Sequence, residues 1–528
     1  MGESRYSDAV GRDEVVPASA DVVVVGGGPV GLTLALALRR QGIDVVVLEA
    51  HPGLSRHPKA RGVSARSMET FRGLGIESAV RGAAAPDDHV RFYRGRTLLD
   101  PDGVVGPPPP TRRTGSTPSP GVLCSQDRLE PILLGAARGA GATVAFSRRV
   151  TAVDPTASGA RVTYAVADDE TPRAVDAAYV VGCDGANSTV RGAAGITLRG
   201  QRGLGRFLSV RLSAPLGPRV ADRRAASYFL APELGGFLAV DNDREWIYQH
   251  PVPPGAEAEA LRADLPAIAA RVRAAVGDPD LPVEVRDTML WRMDATVAQT
   301  FRRGRIVLAG DAAHQVPPTG GHGMNLGIGD AEGLAWRLAR VLRGQASSRL
   351  LDGYAAERRA VAAAVLAICV DNSRRAYEID DELLLGTTYG AEPPVVAEPY
   401  RASGRPGRRL PHVALRGDVT STLDLVRPGG TLLFAVPSSA WGAAVAATPA
   451  LGGVVIAACT DGAHAVAVDG DFERRTGLAS GEGLLVRPDG HVVARVPPVP
   501  SPRGLAEVAA AWAREVHPDA PTARTSAR

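Results

Sequence analysis

Two hydrophobic patterns divide the chain. Asp21–Val25 (DVVVV) and Asp44–Leu48 (DVVVL) are unbroken apolar runs of strand length, the pattern of strands covered on both faces of a parallel sheet. Between them Leu32–Gly42 (LTLALALRRQG) reads as a helix closed by its final glycine. The strand pattern returns at Ala178–Val181 and Arg305–Ala309, each followed at once by a turn: Gly182-Cys183-Asp184-Gly185 after the first, Gly310-Asp311 after the second. From about 200 to 295 apolar and polar residues instead alternate, as in an antiparallel sheet. That stretch gathers Tyr228, Phe229, Phe237, Trp246, Tyr248, His250 and Trp291. Leu326–Leu342 is a long helix, and helix resumes from 343 to about 375.

Gly26-Gly27-Gly28-Pro29-Val30-Gly31 stands between the first strand and its helix. There Gly26 allows the tight turn, Gly28 lets backbone approach a pyrophosphate, and Gly31 lets the helix lie close on the strand. The helix N-terminus offers unpaired N–H groups to phosphates. Glu49, at the end of the second strand, stands where a carboxylate accepts hydrogen bonds from ribose hydroxyls. Glycine triplets alone are common. Strand, glycines, helix, second strand and terminal acid in this order form a dinucleotide site, and without GKS or GKT it is no triphosphate loop.

Charge and cysteine content narrow the classes. Lys plus Arg number 60 against 57 Asp plus Glu, with no long basic run, which argues against nucleic acid. Lys59 is the only lysine. The four cysteines (Cys124, Cys183, Cys369, Cys459) have neither metal-ligand spacing nor the pattern of a disulfide framework, so the expectation is a cytoplasmic protein with reduced thiols and no metal. Residues 1–20 are polar and are expected to be a disordered tail. The uncharged stretch Ala440–Cys459 is interrupted by Pro449 before Val454-Val455-Ile456, so a helix followed by a buried strand explains it better than a membrane span.

The glycine motif at 26–31, Asp184-Gly185 and Gly310-Asp311, in that order, resemble the three signatures of the class A flavoprotein monooxygenases, the family of para-hydroxybenzoate hydroxylase and the aromatic polyketide hydroxylases. The likeness extends through Lys59-Ala60-Arg61-Gly62, Arg66-Ser67-Met68-Glu69 and Ser125-Gln126-Asp127-Arg128-Leu129-Glu130, and spans residues 21 to about 360. It implies a Rossmann-like FAD-binding domain (21–195 and 296–390, with 85–125 contributing to the substrate region) interleaved with an antiparallel-sheet substrate domain (196–295). A linker at 391–411 would lead to a C-terminal thioredoxin-like α/β domain at 412–528. The last resembles the corresponding domain of phenol hydroxylase through Ser421–Leu425 and Leu485–Gly490, and it has no CxxC for thiol exchange.

The resemblance also implies roles. Asp311, after Gly310 of the cofactor-binding Gly-Asp motif, serves the ribityl chain. Gly323, Met324 and Asn325 serve the pyrimidine edge of the isoalloxazine, and Gly320, Gly321 and Gly323 let backbone come against the flat ring. Gln126, with Lys59 or Arg61, lies near the pyrophosphate. Asp184 and Arg191 serve both FAD and a reducing NADPH or NADH that has no Rossmann domain of its own. The carbonyl of Pro318 faces the substrate. Tyr228, Tyr248 or His250 is a candidate to orient a phenol, and His314 is a packed residue rather than a proton carrier. The implied activity is hydroxylation of a phenolic or polyketide-derived polycyclic aromatic substrate with O2 and NAD(P)H, through a flavin C4a-hydroperoxide, in a monomer or homodimer. Baeyer–Villiger insertion on a polycyclic ketone or quinone by the same fold is the alternative, and a non-catalytic FAD-binding protein is the alternative of another class. A halogenase lacks its GWxWxIP segment here.

Overall fold

A computed structural model describes residues 14–55, 57–86, 91–106, 115–166, 169–374, 382–390, 400–435, 439–459, 466–467 and 471–516. The first apolar runs form the centre of a parallel sheet. Its strands lie in the order Ile306–Leu308, Asp169–Gly182, Ser19–Val25, Val45–Leu48 and Thr143–Ala145, all parallel. Arg148–Pro155 and Ala160–Val166 extend it as an antiparallel flap on Asp169–Gly182. Helices Pro29–Arg39, Gln126–Gly139 and Gly323–Leu342 cover it, and their apolar faces build the largest core with Val22–Val25 and Val45–Leu48. The expected tail boundary is corrected here. The strand starts at Ser19, and Glu14 pairs with Arg138 and accepts the Val144 N–H, so residues 14–20 are tied down. Residues 1–13 lie outside the described residues.

The alternating block forms a second eight-stranded sheet, ordered 314–315, 284–298, 198–213, 245–251, 236–239, 227–229, 92–94 and 104–105. Its strands are antiparallel except for Ser227–Phe229 with Phe92–Arg94, which run parallel. Two helices, Ala256–Ala263 and Leu265–Val276, fold onto one face and bury Ala258, Ile268, Val272 and Val276 against it. Strand side chains alternate between faces, so register decides which residues these helices cover.

The C-terminal sheet runs Val455–Ala458, Thr431–Phe434, Gly483–Val486, Val492–Val496, with helices Ser439–Ala446 and Pro502–Val516. The uncharged stretch is thus a helix, a turn at Pro449–Leu451 and a strand, as its composition predicts. That strand lies at the sheet edge with Val455 exposed, so it is not the fully buried one expected. No helix among the described residues is long and apolar enough to cross a membrane. Of the expected linker 391–411, residues 391–399 lie outside the described residues, whereas 400–411 are described and include the buried Arg409 and Leu410.

Candidate active site

The glycine turn has the shape its spacing predicts. Gly26 has φ +106°, and a Cβ there would sit 2.4 Å from the Cys183 carbonyl oxygen. A Cβ on Gly31 would sit 2.0 Å from the Gly26 oxygen, so only glycine lets this helix lie on this strand. Gly28 differs: nothing comes within 4 Å of a Cβ built on it. Close packing at the flanking glycines and open space at the middle one is the shape that admits a phosphate. Gly28 caps the helix and Pro29 is its first residue, which leaves the first-turn N–H of Val30 and Gly31 without helical acceptors. Glu49 accepts the Gly27 N–H at 2.6 Å and the His51 N–H at 2.9 Å, which holds its carboxylate beside the turn.

At the end of strand Ile306–Leu308, Gly310 takes φ +60° and its N–H donates to Asp330 Oδ2 at 3.0 Å. Asp330 also accepts from His314 Nε2 (2.6 Å) and Arg358 Nε (2.7 Å). Burial alone would raise the Asp330 carboxyl, but His314 and Arg358 outweigh it and hold it below the usual range. His314 is therefore a fully buried brace for the Gly-Asp turn. Asp311 is different. Its side chain is solvent-accessible, no protein donor reaches it among the described residues, and desolvation by the surrounding protein raises its carboxyl against the charges of His314 and Lys59. An unsatisfied carboxylate in that setting suits a hydroxyl-bearing chain.

The segment that follows closes as a turn. Gly321 N–H donates to the Pro318 carbonyl at 3.0 Å, with Gly320 and Gly321 at positive φ. Pro318 is exposed and its carbonyl direction is set by that turn. The long helix begins at Gly323, three residues earlier than the hydrophobic pattern places it, so Gly323, Met324 and Asn325 are its first turn and their N–H groups point out of the helix end. The Asn325 side chain is fully engaged. Oδ1 accepts from Ser64 N (2.8 Å) and Ser67 Oγ (2.8 Å), and Nδ2 donates to Gly62 O (2.9 Å) and Gly321 O (2.8 Å). It fastens the glycine turn to the start of helix Ala65–Gly73 rather than facing a ligand.

The basic and amide candidates separate. Lys59 is exposed, and its charge acts on Asp311, Glu130 and His57. Arg61 reaches the second sheet: its guanidinium donates to Ala239 O (2.5 Å), Ala226 O (2.7 Å) and Ser227 Oγ (3.3 Å). Gln126 Nε2 donates to Glu130 Oε1 at 2.7 Å. Asp184 accepts from Ser188 Oγ (2.5 Å) and Val190 N (3.1 Å), acting as a cap for the short helix Thr189–Ala193. Arg191 spans the two acidic motifs by donating to Ala186 O (2.8 Å) and Ala312 O (3.0 Å).

The tyrosine and histidine candidates are corrected. Tyr228, Tyr248, Trp246 and Phe237 share the sheet face covered by the two helices, within an aromatic cluster whose centroids lie 4.9–6.5 Å apart. The Tyr228 hydroxyl donates to Asn242 Oδ1 (2.8 Å) and accepts the Ala225 N–H (3.0 Å). The Tyr248 hydroxyl is bonded to Leu234 O (2.8 Å) and lies 3.1 Å from His250 Nδ1. Burial pushes both phenols well above the ordinary value, and it holds His250 below its own. None of the three lies on the sheet face that meets segment 57–61. Tyr228→Phe is expected to cost about 1–3 kcal/mol of stability by leaving the Ala225 N–H unpaired, while the rate of flavin reduction stays unchanged; thermal unfolding and stopped-flow absorbance check this.

The opposite face carries Phe207, Ser209, Ile247, Gln249, Asp287 and Trp291, related by the register Phe207↔Trp291 and Ser209↔Gln249. It is turned toward the FAD-side segment 57–61, since His57 Nε2 lies 2.7 Å from Ser209 Oγ and Arg61 reaches Ser227. Phe207 and Trp291 stack with centroids 4.7 Å apart and planes 18° apart. Gln249 links Trp291 Nε1 (3.0 Å) to Ser209 Oγ (2.7 Å). Of this set, sequence reasoning singled out only Trp291. Alternation shows that two faces exist, and the polar positions Ser209 and Gln249 were the available signal.

Family models agree with this geometry. Residues 19–368 match an FAD binding domain, and residues 403–515 match the C-terminal domain of aromatic-ring hydroxylases. The chain belongs to the FAD-dependent aromatic-ring hydroxylases. Among members of that family it is 34% identical to tetracenomycin B2 monooxygenase-dioxygenase of Streptomyces olivaceus, over 90% of this chain and 94% of that one. It superposes on the flavin-dependent monooxygenase PieE, solved with FAD and substrate, with TM-score 0.84 and 27% identity over 95% of this chain and 100% of the other. It superposes likewise on aklavinone-11 hydroxylase with FAD and aklavinone (TM-score 0.82, 30% identity, 95% and 100% coverage). The α/β fold, the FAD-dependent monooxygenase class and the C-terminal hydroxylase domain expected from the motifs are those of these hydroxylases.

Proposed function

We propose that this hydroxylase adds one oxygen atom to a polycyclic phenol of polyketide origin, using NADPH or NADH and O2. The carrying observation is the stacked Phe207–Trp291 pair on the sheet face turned to the FAD side, with the Gln249 carboxamide beside it. Parallel aromatic rings next to one polar anchor suit a flat fused-ring ligand better than a small benzoate. The tetracenomycin and aklavinone enzymes to which the chain is similar support the same class.

The residues fit FAD. Gly26, Gly28 and Gly31 with the N–H groups of Val30 and Gly31 receive the pyrophosphate. Glu49 serves the ribose and Asp311 the ribityl hydroxyls. The first-turn N–H groups of Gly323, Met324 and Asn325 face the ring edge, where a helix N-terminus favours negative charge. Lys59, rather than Arg61, remains for the phosphates, with Gln126 as a fixed neighbour. Bound FAD supplies the redox and oxygen chemistry. The protein's part is to exclude water, hold the ring to be attacked, and keep the Pro318 carbonyl at the cleft by its turn. Asp184 and Arg191 shape the floor between the two acidic motifs, where the nicotinamide would enter. A cytoplasmic monomer or homodimer suits this role.

The test is NADPH oxidation by the FAD-loaded protein with and without 1,8-dihydroxyanthraquinone and related polycyclic phenols. Ligand-stimulated oxidation and a product heavier by one oxygen on an aromatic carbon are expected. A ring-expanded lactone would favour the Baeyer–Villiger reading, and no stimulation by any phenol would sink the proposal.

A further inference from the structure

Segment 382–390 lies in sequence between the FAD-binding part and the C-terminal domain, and its Tyr389 is buried against both. The Tyr389 N–H donates to the Gly407 carbonyl at 2.9 Å, and the Gly407 N–H donates in turn to the Val492 carbonyl at 2.8 Å. The ring packs on two side chains of the C-terminal domain: the His491 imidazole, with centroids 4.3 Å apart, and the Arg487 guanidinium, 4.6 Å from the ring centroid. The Tyr389 hydroxyl reaches the FAD-binding part, where it accepts from Arg358 Nη1 at 3.0 Å. Burial pushes this phenol above its ordinary value against the charges of Arg358 and Arg487, so the group is a neutral hydroxyl. Arg358 is 4% exposed, and its other nitrogens hold the start of the long helix: Nε donates to Asp330 Oδ1 at 2.7 Å and Nη2 to the Leu326 carbonyl at 2.9 Å. Gly329 makes room for this arginine, since a Cβ there would stand 3.0 Å from Nη2. Between the two points that Arg358 holds lies Gly327, where a Cβ would come 3.1 Å from Gly310 Cα. Arg358 thus keeps helix Gly323–Leu342 close on the Gly310-Asp311 turn, whose Gly310 N–H the same Asp330 accepts.

We propose that Tyr389 is a positioning residue through which the C-terminal domain holds the Gly310-Asp311 turn in its FAD-binding shape, by way of Arg358 and Asp330. The proposal rests on the reading of Asp311 as acceptor of the ribityl hydroxyls of FAD. A guanidinium is a rigid planar fork, so acceptors at Nε, Nη1 and Nη2 together leave it one orientation. Loss of the Nη1 acceptor strands a buried donor, and the fork then turns toward another partner. That movement loosens the Asp330 carboxylate, and with it the Gly310 N–H and the aspartate that follows in the turn. The C-terminal domain has no thiol pair and supplies no group to the flavin site in this arrangement. Its part is to keep the Tyr389 ring in place.

The experiment measures the FAD Kd of the full-length apoprotein by titration, at a temperature well below the unfolding midpoint of every variant. There the chain is almost wholly native, so a loss of folding stability alone leaves Kd unchanged. Tyr389→Phe keeps the ring packing, removes only the hydroxyl, and should raise the Kd roughly tenfold. In the Asp311→Asn background the same change should raise it by less than about twofold, because the group it positions is already gone. His491→Leu, on the C-terminal side, should weaken FAD binding in the otherwise unaltered chain and not in the Tyr389→Phe chain. An unchanged Kd in Tyr389→Phe, or losses from Tyr389→Phe and Asp311→Asn that simply add, overturn the positioning role. A loss from His491→Leu that persists undiminished in the Tyr389→Phe chain overturns the route through Tyr389. Asp311→Asn with an unchanged Kd instead overturns the ribityl reading, and the proposal falls with it.

Discussion

Replacing Asp311 with asparagine is expected to give a folded chain that purifies without yellow colour. In the structure the Asp311 carboxylate has no protein donor among the described residues and sits where burial disfavours its charge. Its only gain comes from a ligand that brings hydroxyls to it. A hydrogen bond to a charged group contributes about 1.5–3 kcal/mol, so FAD affinity should fall roughly 10- to 100-fold. Stability of the FAD-free chain should stay level or rise, because a charge with no partner is removed. The sign follows from its raised folded-state value. The native state binds this proton more readily than the unfolded one, so the penalty is present at neutral pH and disappears as pH falls through the folded-state value. The variant's advantage over the unaltered apoprotein should therefore shrink in acid. Flavin absorbance after gel filtration and thermal unfolding of the apoprotein at several pH values check both halves. A yellow, tightly loaded Asp311→Asn protein would remove Asp311 from the proposed site.

Arg409→Ala should be the most damaging single change outside the cleft. Arg409 lies at the start of the C-terminal domain, 1% exposed. Its guanidinium is held by both oxygens of Glu69, itself 2% exposed, and by the Tyr400 hydroxyl at 2.8 Å. Truncation leaves the Glu69 carboxylate buried without its partner, a loss of about 3–5 kcal/mol. Glu69 belongs to helix Ala65–Gly73, whose N-terminal residues Ser64 and Ser67 hold the Asn325 amide at the start of the long helix. Arg66 on the same helix donates to Glu332 at 2.5 Å and to the Asp489 carbonyl at 2.8 Å, a second tie to the C-terminal domain. The unfolding midpoint should drop sharply, and FAD should dissociate at a lower denaturant concentration than in the unaltered protein. The double change Arg409→Met with Glu69→Leu should recover most of the loss, since an apolar pair leaves no stranded charge. Equal losses in the single and double variants would show that the ion pair is not what joins the two parts.

These two changes also mark the limits of the sequence. The dinucleotide turn was legible because each glycine answers a local steric demand: positive φ at Gly26, open space at Gly28, helix contact at Gly31. The exposed Asp311 after a buried strand was legible for the same local reason. Between Lys59 and Arg61 the sequence left the phosphate partner open, because a long flexible side chain reaches as easily to the carbonyls of Ala226 and Ala239, where Arg61 is bonded, as to a phosphate. The Pro488-Asp489-Gly490 turn read only as a hairpin, yet Asp489 is buried and accepts from Trp336 Nε1 at 3.2 Å and Arg487 Nε at 2.7 Å, joining the C-terminal domain to the long helix.

Local pattern thus determined the parallel sheet, its glycine turn, the two acidic turns and the existence of an alternating second sheet, all set by contacts within a few residues or by periodicity. Tertiary structure alone decided which face of that second sheet the two helices cover. Two helices claim Tyr228 and Tyr248 for the core, and the residues one place along, Ser209's row and Gln249's, are left on the face that meets His57. A strand's alternation is symmetric between its faces, and only what packs against each face breaks that symmetry.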